Sequence, residues 1–145
     1  MNWRFLFTAV LALVSLAFIT TTTRADDLQA MAGTWKVAAV EVAGKPLDPE
    51  VLHDLVVTIE GDHFTTKSTE RVEGGTIKLD ETKTPRTMDA TKTEGFEAGR
   101  VIKAVYEIKD DKVRVCYALD DSGRPTEVAS KDGTTWMTIT YEREK

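Results

Sequence analysis

The segment Ala32-Gly33-Thr34-Trp35-Lys36-Val37 is the feature of this sequence that most restricts its fold. It joins a Gly-x-Trp step to the start of an apolar strand, shortly after the acidic pair Asp26-Asp27. In small β-barrels such an opening lets the first strand enter beneath the barrel and close one end with an indole. Gly33 and Trp35 are therefore predicted to be structural residues that plug a barrel.

The first 25 residues have the layout of a secretory signal peptide. Arg4 lies in a short n-region, Phe5 to Ile19 is an almost unbroken apolar run, and Thr23 and Ala25 are small residues placed for cleavage. The alternative is an uncleaved membrane anchor. The apolar run has only 15 residues, whereas a membrane span needs about 20. Cleavage after Ala25 is therefore favoured, and the mature chain is expected to be exported to the periplasm or the extracellular space.

Residues 26–145 are predicted to form a single domain. Removal of Arg4 and Arg24 takes the formal net charge from −5 to −7. This acidic balance, without a cluster of basic residues, argues against nucleic acid or an anionic membrane surface as a partner. Cys116 is the only cysteine, so no internal disulfide can form. A buried thiol between Val115 and Tyr117 is favoured over a catalytic nucleophile.

Apolar alternation and turn signals predict eight strands. The first strand carries Trp35 and Val37 on one face and Val40 and Val42 on the other, which predicts a bulge that changes the inward side. A short helix is predicted at Pro49 to Asp54, capped by Asp48, with Val51, Leu52 and Leu55 facing inward over one mouth of the barrel. The predicted strands are 34–42, 55–59, 63–68, 71–79, 87–93, 100–109, 112–118 and 134–142.

Connections of hairpin length join most of these strands, and closing such a meander removes its exposed edges. The sequence therefore predicts an all-β fold: an eight-stranded antiparallel up-and-down barrel with one short helix near the N-terminal side. A closed barrel is favoured over an open sandwich. Gly74-Gly75 within the fourth strand predicts a sharp bend.

Five stretches, in this order, resemble the planctomycete lipocalin-like domain family: LQAMAGTWKVAAVEVAGKPL, VTIEGDHFT, GTIKLDETKTPRTMDATKTEG, YEIKDDKVRVCYA and GRPTE. The resemblance runs from Leu28 to Arg143. Members of that family are small exported proteins of unknown function. The likeness implies a calycin-type, lipocalin-like barrel with Trp35 packed at the closed end and an arginine, here Arg143, lying over it. It implies no agreed activity, substrate or catalytic residue.

No catalytic motif is visible, so no catalytic residue and no cofactor are predicted. His53 and His63, next to Asp54 and Asp62, could in principle meet a metal ion. Exposed turn positions explain them better, and no metal site is predicted.

The speculative ligand-binding residues are Tyr106, Tyr117, Tyr141 and Arg124. The tyrosines would lie inside the barrel with hydroxyls that need partners. Arg124, in the segment Gly123 to Glu127, could hold an anionic group at the rim. The favoured interpretation is structural, with Pro125 fixing the loop while Arg124 satisfies backbone groups or Glu127.

Two hypotheses of different classes follow. The leading one is a non-enzymatic barrel that binds a small, mostly apolar ligand, the one partner that can be suggested. The alternative is a structural or protein-interaction domain with a filled barrel. An eight-stranded barrel is wide enough for either outcome. A continuous apolar cavity of roughly 300 Å³ or more, open at one end, would favour ligand binding.

Overall fold

The computed structural model describes residues 26–145 as a nine-stranded antiparallel sheet that closes on itself. The proposed signal peptide lies outside these described residues. None of the helices in this range has the length and apolar character needed to cross a bilayer. The elements are α1 (Asp26–Met31), β1 (Gly33–Val42), β2 (Lys45–Leu47), a 3₁₀ helix (Pro49–Leu52), β3 (Val56–Glu60), β4 (His63–Lys67), β5 (Val72–Asp80), β6 (Arg86–Glu94), β7 (Val101–Lys109), β8 (Lys112–Ala118) and β9 (Trp136–Arg143).

The barrel itself has eight strands, as predicted. From β3 to β9 each strand pairs with the next, while β1 pairs with β3 on one side and β9 on the other. The short β2, which is not among the predicted strands, adds a ninth strand that pairs only with residues 40–42 of β1. Closure through β1 and β9 excludes the open sandwich and confirms the up-and-down barrel.

A bulge in β1 reverses the inward side of the strand, as its apolar pattern predicted. The register with β9 shifts between Val37 and Ala39. Before the shift Val37 lies opposite Tyr141, and after it Val40 lies opposite Ile139. Because one extra residue in a strand moves all later side chains to the other face, apolar residues of both halves of β1 point into the barrel.

A second irregularity lies opposite the predicted glycine pair, where β6 carries one extra residue, Thr93. The register with β6 shifts between Gly74 and Gly75. A Cβ atom on Gly75 would overlap the Thr91 carbonyl oxygen and would lie 2.8 Å from the Phe64 ring. The two strands can therefore approach this closely only where the side chain is absent.

The helical segments differ from the prediction. The expected helix at Pro49 to Asp54 is a single 3₁₀ turn, Pro49–Leu52, in which the Asp48 carboxylate accepts a hydrogen bond from the Glu50 N–H at 3.0 Å. Val51 does not face inward: it is 61% exposed. A 3₁₀ helix has three residues per turn, so Leu52 and Leu55 share one side and Val51 points elsewhere. The structure does contain one short α-helix near the N-terminal side, as predicted, but it is α1 at Asp26–Met31.

The two ends of the barrel differ. The β3–β4, β5–β6 and β7–β8 hairpins surround the end where β1 begins, and α1 lies there with Met31 fully buried. The 3₁₀ helix, the β4–β5 and β6–β7 turns and the segment 119–135 surround the other end. We call these the closed end and the mouth.

Segment 119–135, the longest connection, packs against the outside of the barrel. Its Pro125 is fully buried, and the Ser130 hydroxyl accepts a hydrogen bond from the Gly44 N–H at 3.1 Å. Cys116 lies on the outward face of β8 and is fully buried, with its thiol next to the backbone of Ala129. Burial raises the pKa of this thiol, as expected for an unreactive structural cysteine.

Candidate functional site

An internal cavity of about 470 Å³ runs along the barrel from the closed end to the mouth. Met31 and Trp35 form its floor, and Leu52 and Leu55 flank its opening. Its wall is mostly apolar because each strand turns alternate residues inward. The wall residues are Val57, Ile59, Phe64, Thr66, Arg71, Glu73, Ile77, Met88, Ala90, Lys92, Ile102, Ala104, Val113, Val115, Tyr117, Met137, Ile139 and Tyr141.

The floor is built around the Trp35 indole, which is 2% exposed. Its N–H donates to the Met31 carbonyl at 2.8 Å. The Arg143 guanidinium lies 4.3 Å from the ring centroid and donates to the Ala30 and Ala32 carbonyls at 2.8 and 2.6 Å. Arg143 thus stacks on the indole while binding carbonyls at the end of α1.

Gly33 lies beside this arginine with a φ of +126°. A Cβ atom at this position would lie 2.7 Å from Arg143 Nη1. The glycine is therefore required both by its backbone conformation and by the close approach of the guanidinium. The structure brings together all three residues of the predicted plug.

Tyr106 lies at the closed end and not in the cavity wall. Its hydroxyl donates to Asp27 Oδ2 at 2.7 Å, and Asp27 also accepts two hydrogen bonds from Arg86 at 2.8 and 3.0 Å. Burial, followed by the hydrogen bond to the Asp27 carboxylate, raises the pKa of Tyr106 far above its usual range. The hydroxyl that was expected to meet a ligand instead anchors α1.

Tyr117 and Tyr141 line the cavity, as the sequence predicted. Neither hydroxyl has a hydrogen-bond partner among residues 26–145. Burial raises the pKa of Tyr117 to about 12 and moves the pKa of Tyr141 in the same direction. Both groups are therefore neutral near pH 7, and each can donate or accept a hydrogen bond inside the cavity.

Arg124 is held against the outer surface of β6 and β7, away from the cavity. It donates to the Met88 carbonyl at 3.1 Å and the Ala104 carbonyl at 2.7 Å, and it pairs with the Asp89 carboxylate. These contacts follow the structural interpretation of the segment, although the partners are strand groups and not Glu127. The guanidinium does not lie at the rim.

A polar cluster at the mouth was missed by the sequence analysis. Thr66, Arg71, Glu73 and Lys92 all line the upper part of the cavity. The Lys92 ammonium lies 3.1 Å from Glu73 Oε2, and each of these side chains is only 13% exposed. The alternation of side chains along each strand could have revealed it. Glu73 lies on the same face of its strand as Ile77, and Lys92 lies on the same face as Met88 and Ala90. Charged residues among inward positions mark this cluster.

The two histidines lie at opposite ends of the barrel. His53 Nδ1 is 2.6 Å from the Glu50 carbonyl oxygen beside the mouth, whereas His63 Nδ1 is 2.8 Å from Asp62 in a hairpin at the closed end. Within the described part of the chain, no group of three or more His, Cys, Asp and Glu side chains is arranged to hold a metal ion.

The sequence matches no protein-family model and no curated protein. Among solved structures, the chain is similar to a DUF4847 family protein from Bacteroides vulgatus ATCC 8482, whose crystal structure was determined at 1.00 Å resolution. The similarity covers 79% of this chain and 94% of the other, with a TM-score of 0.52 and 15% sequence identity. At that identity the comparison shows a shared barrel fold.

Proposed function

We propose that this protein is an exported, lipocalin-like barrel that binds one small, mostly apolar ligand. The observation that carries the proposal is the cavity of about 470 Å³, closed below by Trp35 and open at the mouth. Its volume lies within the range of roughly 300–1,000 Å³ that is usual for small-molecule sites. A barrel that worked only as a solid scaffold would have filled this space with side chains.

Transfer of apolar surface from water to the wall of the barrel would supply most of the affinity. Val57, Phe64, Ile102 and Met137 provide such surface around the cavity. The hydroxyls of Tyr117 and Tyr141 would orient a polar group. Tyr106 and Arg124 have no place in this proposal because their polar atoms already bind other groups of the protein.

Export belongs to the proposal because residues 1–25 resemble a signal peptide. Membership of the planctomycete lipocalin-like family also belongs to the proposal, because the stretches between Leu28 and Arg143 resemble that family. The proposal assigns no catalysis. The Cys116 thiol is buried, beneath the segment 119–135 that covers the outside of the barrel.

A protein-interaction role is the second candidate, and one observation favours it. Large apolar side chains are exposed around the mouth, including Val51, Val72 and Phe96. Such a rim is a typical feature of surfaces that meet a partner. The open cavity behind the rim favours the ligand-binding role.

A fluorescent apolar probe, N-phenylnaphthylamine, tests the proposal directly. We expect the wild-type protein to bind it with enhanced emission. Ala90 lines the cavity, so Ala90→Phe should weaken probe binding by at least about tenfold. Thr93→Phe places the same ring on an exposed position of the same strand and should leave binding unchanged. Equal binding by the wild type and Ala90→Phe, or none by the wild type, would contradict the proposal.

A further inference from the structure

Arg71 lies at the mouth of the barrel, where the donors of its side chain are unused. It lines the cavity, and its side chain is 59% exposed. Within residues 26–145 its hydrogen bonds with Ser68 use only the backbone atoms of Arg71. Its Nη1 lies 3.9 Å from Glu73 Oε1, which is too long for a hydrogen bond. The guanidinium therefore offers a planar set of N–H donors to a molecule that enters the cavity.

The other cationic side chains around the mouth already have carboxylate partners. The Lys92 ammonium lies 3.1 Å from Glu73 Oε2 and 3.6 Å from Glu97 Oε2. Arg100 in turn pairs with Glu97 at 2.9 Å. Together with Arg71 this group contains three cations and two carboxylates, so one positive charge is in excess. That excess charge resides on Arg71.

The Glu73 carboxylate does not prevent an anionic group from reaching Arg71. Its Oε2 is paired with Lys92, and its Oε1 is buried without surface toward the cavity. The negative charge of Glu73 is therefore compensated from the side of β6. A ligand can bind the guanidinium without contacting this carboxylate.

The two sides of Arg71 differ in charge. A second hollow of about 440 Å³ adjoins the mouth and contains the carboxylates of Asp54 and Glu70, which repel an anion. On the side of the barrel, Thr66 lies opposite Glu73 in the pairing of β4 and β5 and lines the cavity. Its hydroxyl is a further hydrogen-bond donor. An anionic group is therefore favoured on the cavity side of Arg71.

We propose that the cavity selects an amphiphile with an apolar tail and a carboxylate head, and that Arg71 binds the head at the mouth. A carboxylate is planar and singly charged, so it matches both the shape of the guanidinium and the single excess charge. The tail passes Leu52 and Leu55 and occupies the barrel above Trp35. This inference rests on the proposed ligand-binding function and specifies the chemistry of its ligand.

Four ligands with the same decyl tail provide the test. Decanoate, decyl phosphate, decanol and decylammonium are each used to displace N-phenylnaphthylamine at about pH 8, where the carboxylic acid is ionised and the phosphate is close to doubly charged. Decanoate should bind most tightly. Decyl phosphate should bind more weakly because its second charge exceeds the excess charge at the mouth, and decylammonium should bind most weakly because Arg71 repels it.

Arg71→Gln is the decisive variant, and Lys67→Gln is its matched control. Arg71→Gln should lower the affinity for decanoate relative to decanol by at least about fivefold. Lys67 lies at an exposed position of β4, next to inward-facing Thr66, so alternation directs its side chain away from the cavity. Lys67→Gln removes the same charge from the same end of the barrel. It should leave the ratio unchanged at about 0.15 M salt, which screens distant charges.

Binding of the neutral ligands shows whether each variant keeps its cavity. N-phenylnaphthylamine and decanol should bind equally well to the wild type and to Arg71→Gln, because neither carries a charge that Arg71 could compensate. The comparison of the four ligands on the wild type does not depend on any variant.

The outcomes separate the two proposals. If decanol, decylammonium or decyl phosphate binds as tightly as decanoate, the inference about the head group is wrong while the ligand-binding function stands. The inference is also wrong if Arg71→Gln and Lys67→Gln change the ratio of decanoate to decanol equally. If neither the probe nor any decyl compound binds, the proposed function itself is contradicted.

Discussion

At the scale of single residues, Trp35 and Arg143 hold the closed end together. The indole N–H binds Met31, and the guanidinium binds Ala30 and Ala32 while stacking on the ring. Trp35 could be identified from its Gly-x-Trp step. Arg143 was suggested only by the family resemblance, because a residue more than a hundred positions away leaves no local pattern. Together these contacts join the beginning and the end of the barrel to α1.

Truncation of the Trp35 side chain should strongly destabilise the protein. We expect Trp35→Ala to lower the free energy of unfolding by about 3–5 kcal/mol, because it removes a large buried aromatic and leaves a void beneath the cavity. Urea unfolding followed by circular dichroism measures the change. A loss below about 1 kcal/mol would be incompatible with a plug at the closed end.

Arg143 should contribute more to the stability of the protein than is usual for an arginine of its exposure. Its side chain is 36% exposed, but its donors satisfy carbonyls at the end of α1. We expect Arg143→Met to cost about 1–3 kcal/mol in urea unfolding. Arg114→Met is a matched control: that side chain is 37% exposed and has one surface ion pair with Glu107, worth about 1 kcal/mol or less. Equal losses would argue against a special role for Arg143.

At the scale of elements, the strands were predictable, and of the helices only the turn that Asp48 caps was predicted at its position. Alternation places one face of each strand in the core. In β1 the apolar residues change from one face to the other, and this change predicted the bulge. Helix α1 has six residues and the 3₁₀ helix has four, too few to show a helical period. Their positions depend on tertiary contacts, such as those of Asp27 with Tyr106 and Arg86.

The close approach of β5 to β6 at Gly75 gives a prediction at this scale. We expect Gly75→Ala to lower the free energy of unfolding by more than about 2 kcal/mol, because its Cβ would collide with the Thr91 carbonyl of the paired strand. Gly123→Ala provides the control: its φ is +98°, but no atom lies within 4 Å of the added carbon. That substitution should cost about 1 kcal/mol from backbone strain alone. A harmless Gly75→Ala would contradict the observed approach of β5 and β6.

At the scale of the whole molecule, the barrel was predictable from the sequence but the chemistry of its interior only in part. Tyr117 and Tyr141 were correctly placed by alternation. Tyr106 was also placed on the inward face, but its hydroxyl donates to Asp27 of α1, a helix whose position no local sequence pattern predicted. Arg124 belongs to a long loop whose path across the outer face depends on packing. The cluster around Glu73 and Lys92 was not predicted, although both residues stand at inward positions of β5 and β6.

The enclosed tyrosines predict a loss of stability at alkaline pH. An unfolded tyrosine has a pKa near 10, whereas burial raises the pKa of Tyr117 to about 12. Below pH 10 both states keep the proton. Between these values the unfolded chain loses it first, so the free energy of unfolding falls as pH rises. Tyr117→Phe should make this fall less steep in urea unfolding at a series of pH values. Identical slopes would contradict burial of the hydroxyl.

We propose that the space above Trp35 is occupied by one small, mostly apolar ligand in the native host. Native mass spectrometry of protein purified from that host tests it most directly. The predicted result is one additional small mass per chain, absent from the Ala90→Phe variant and retained by Thr93→Phe. Repeated recovery of empty wild-type protein, together with no thermal shift across a panel of lipids and metabolites, would contradict the account.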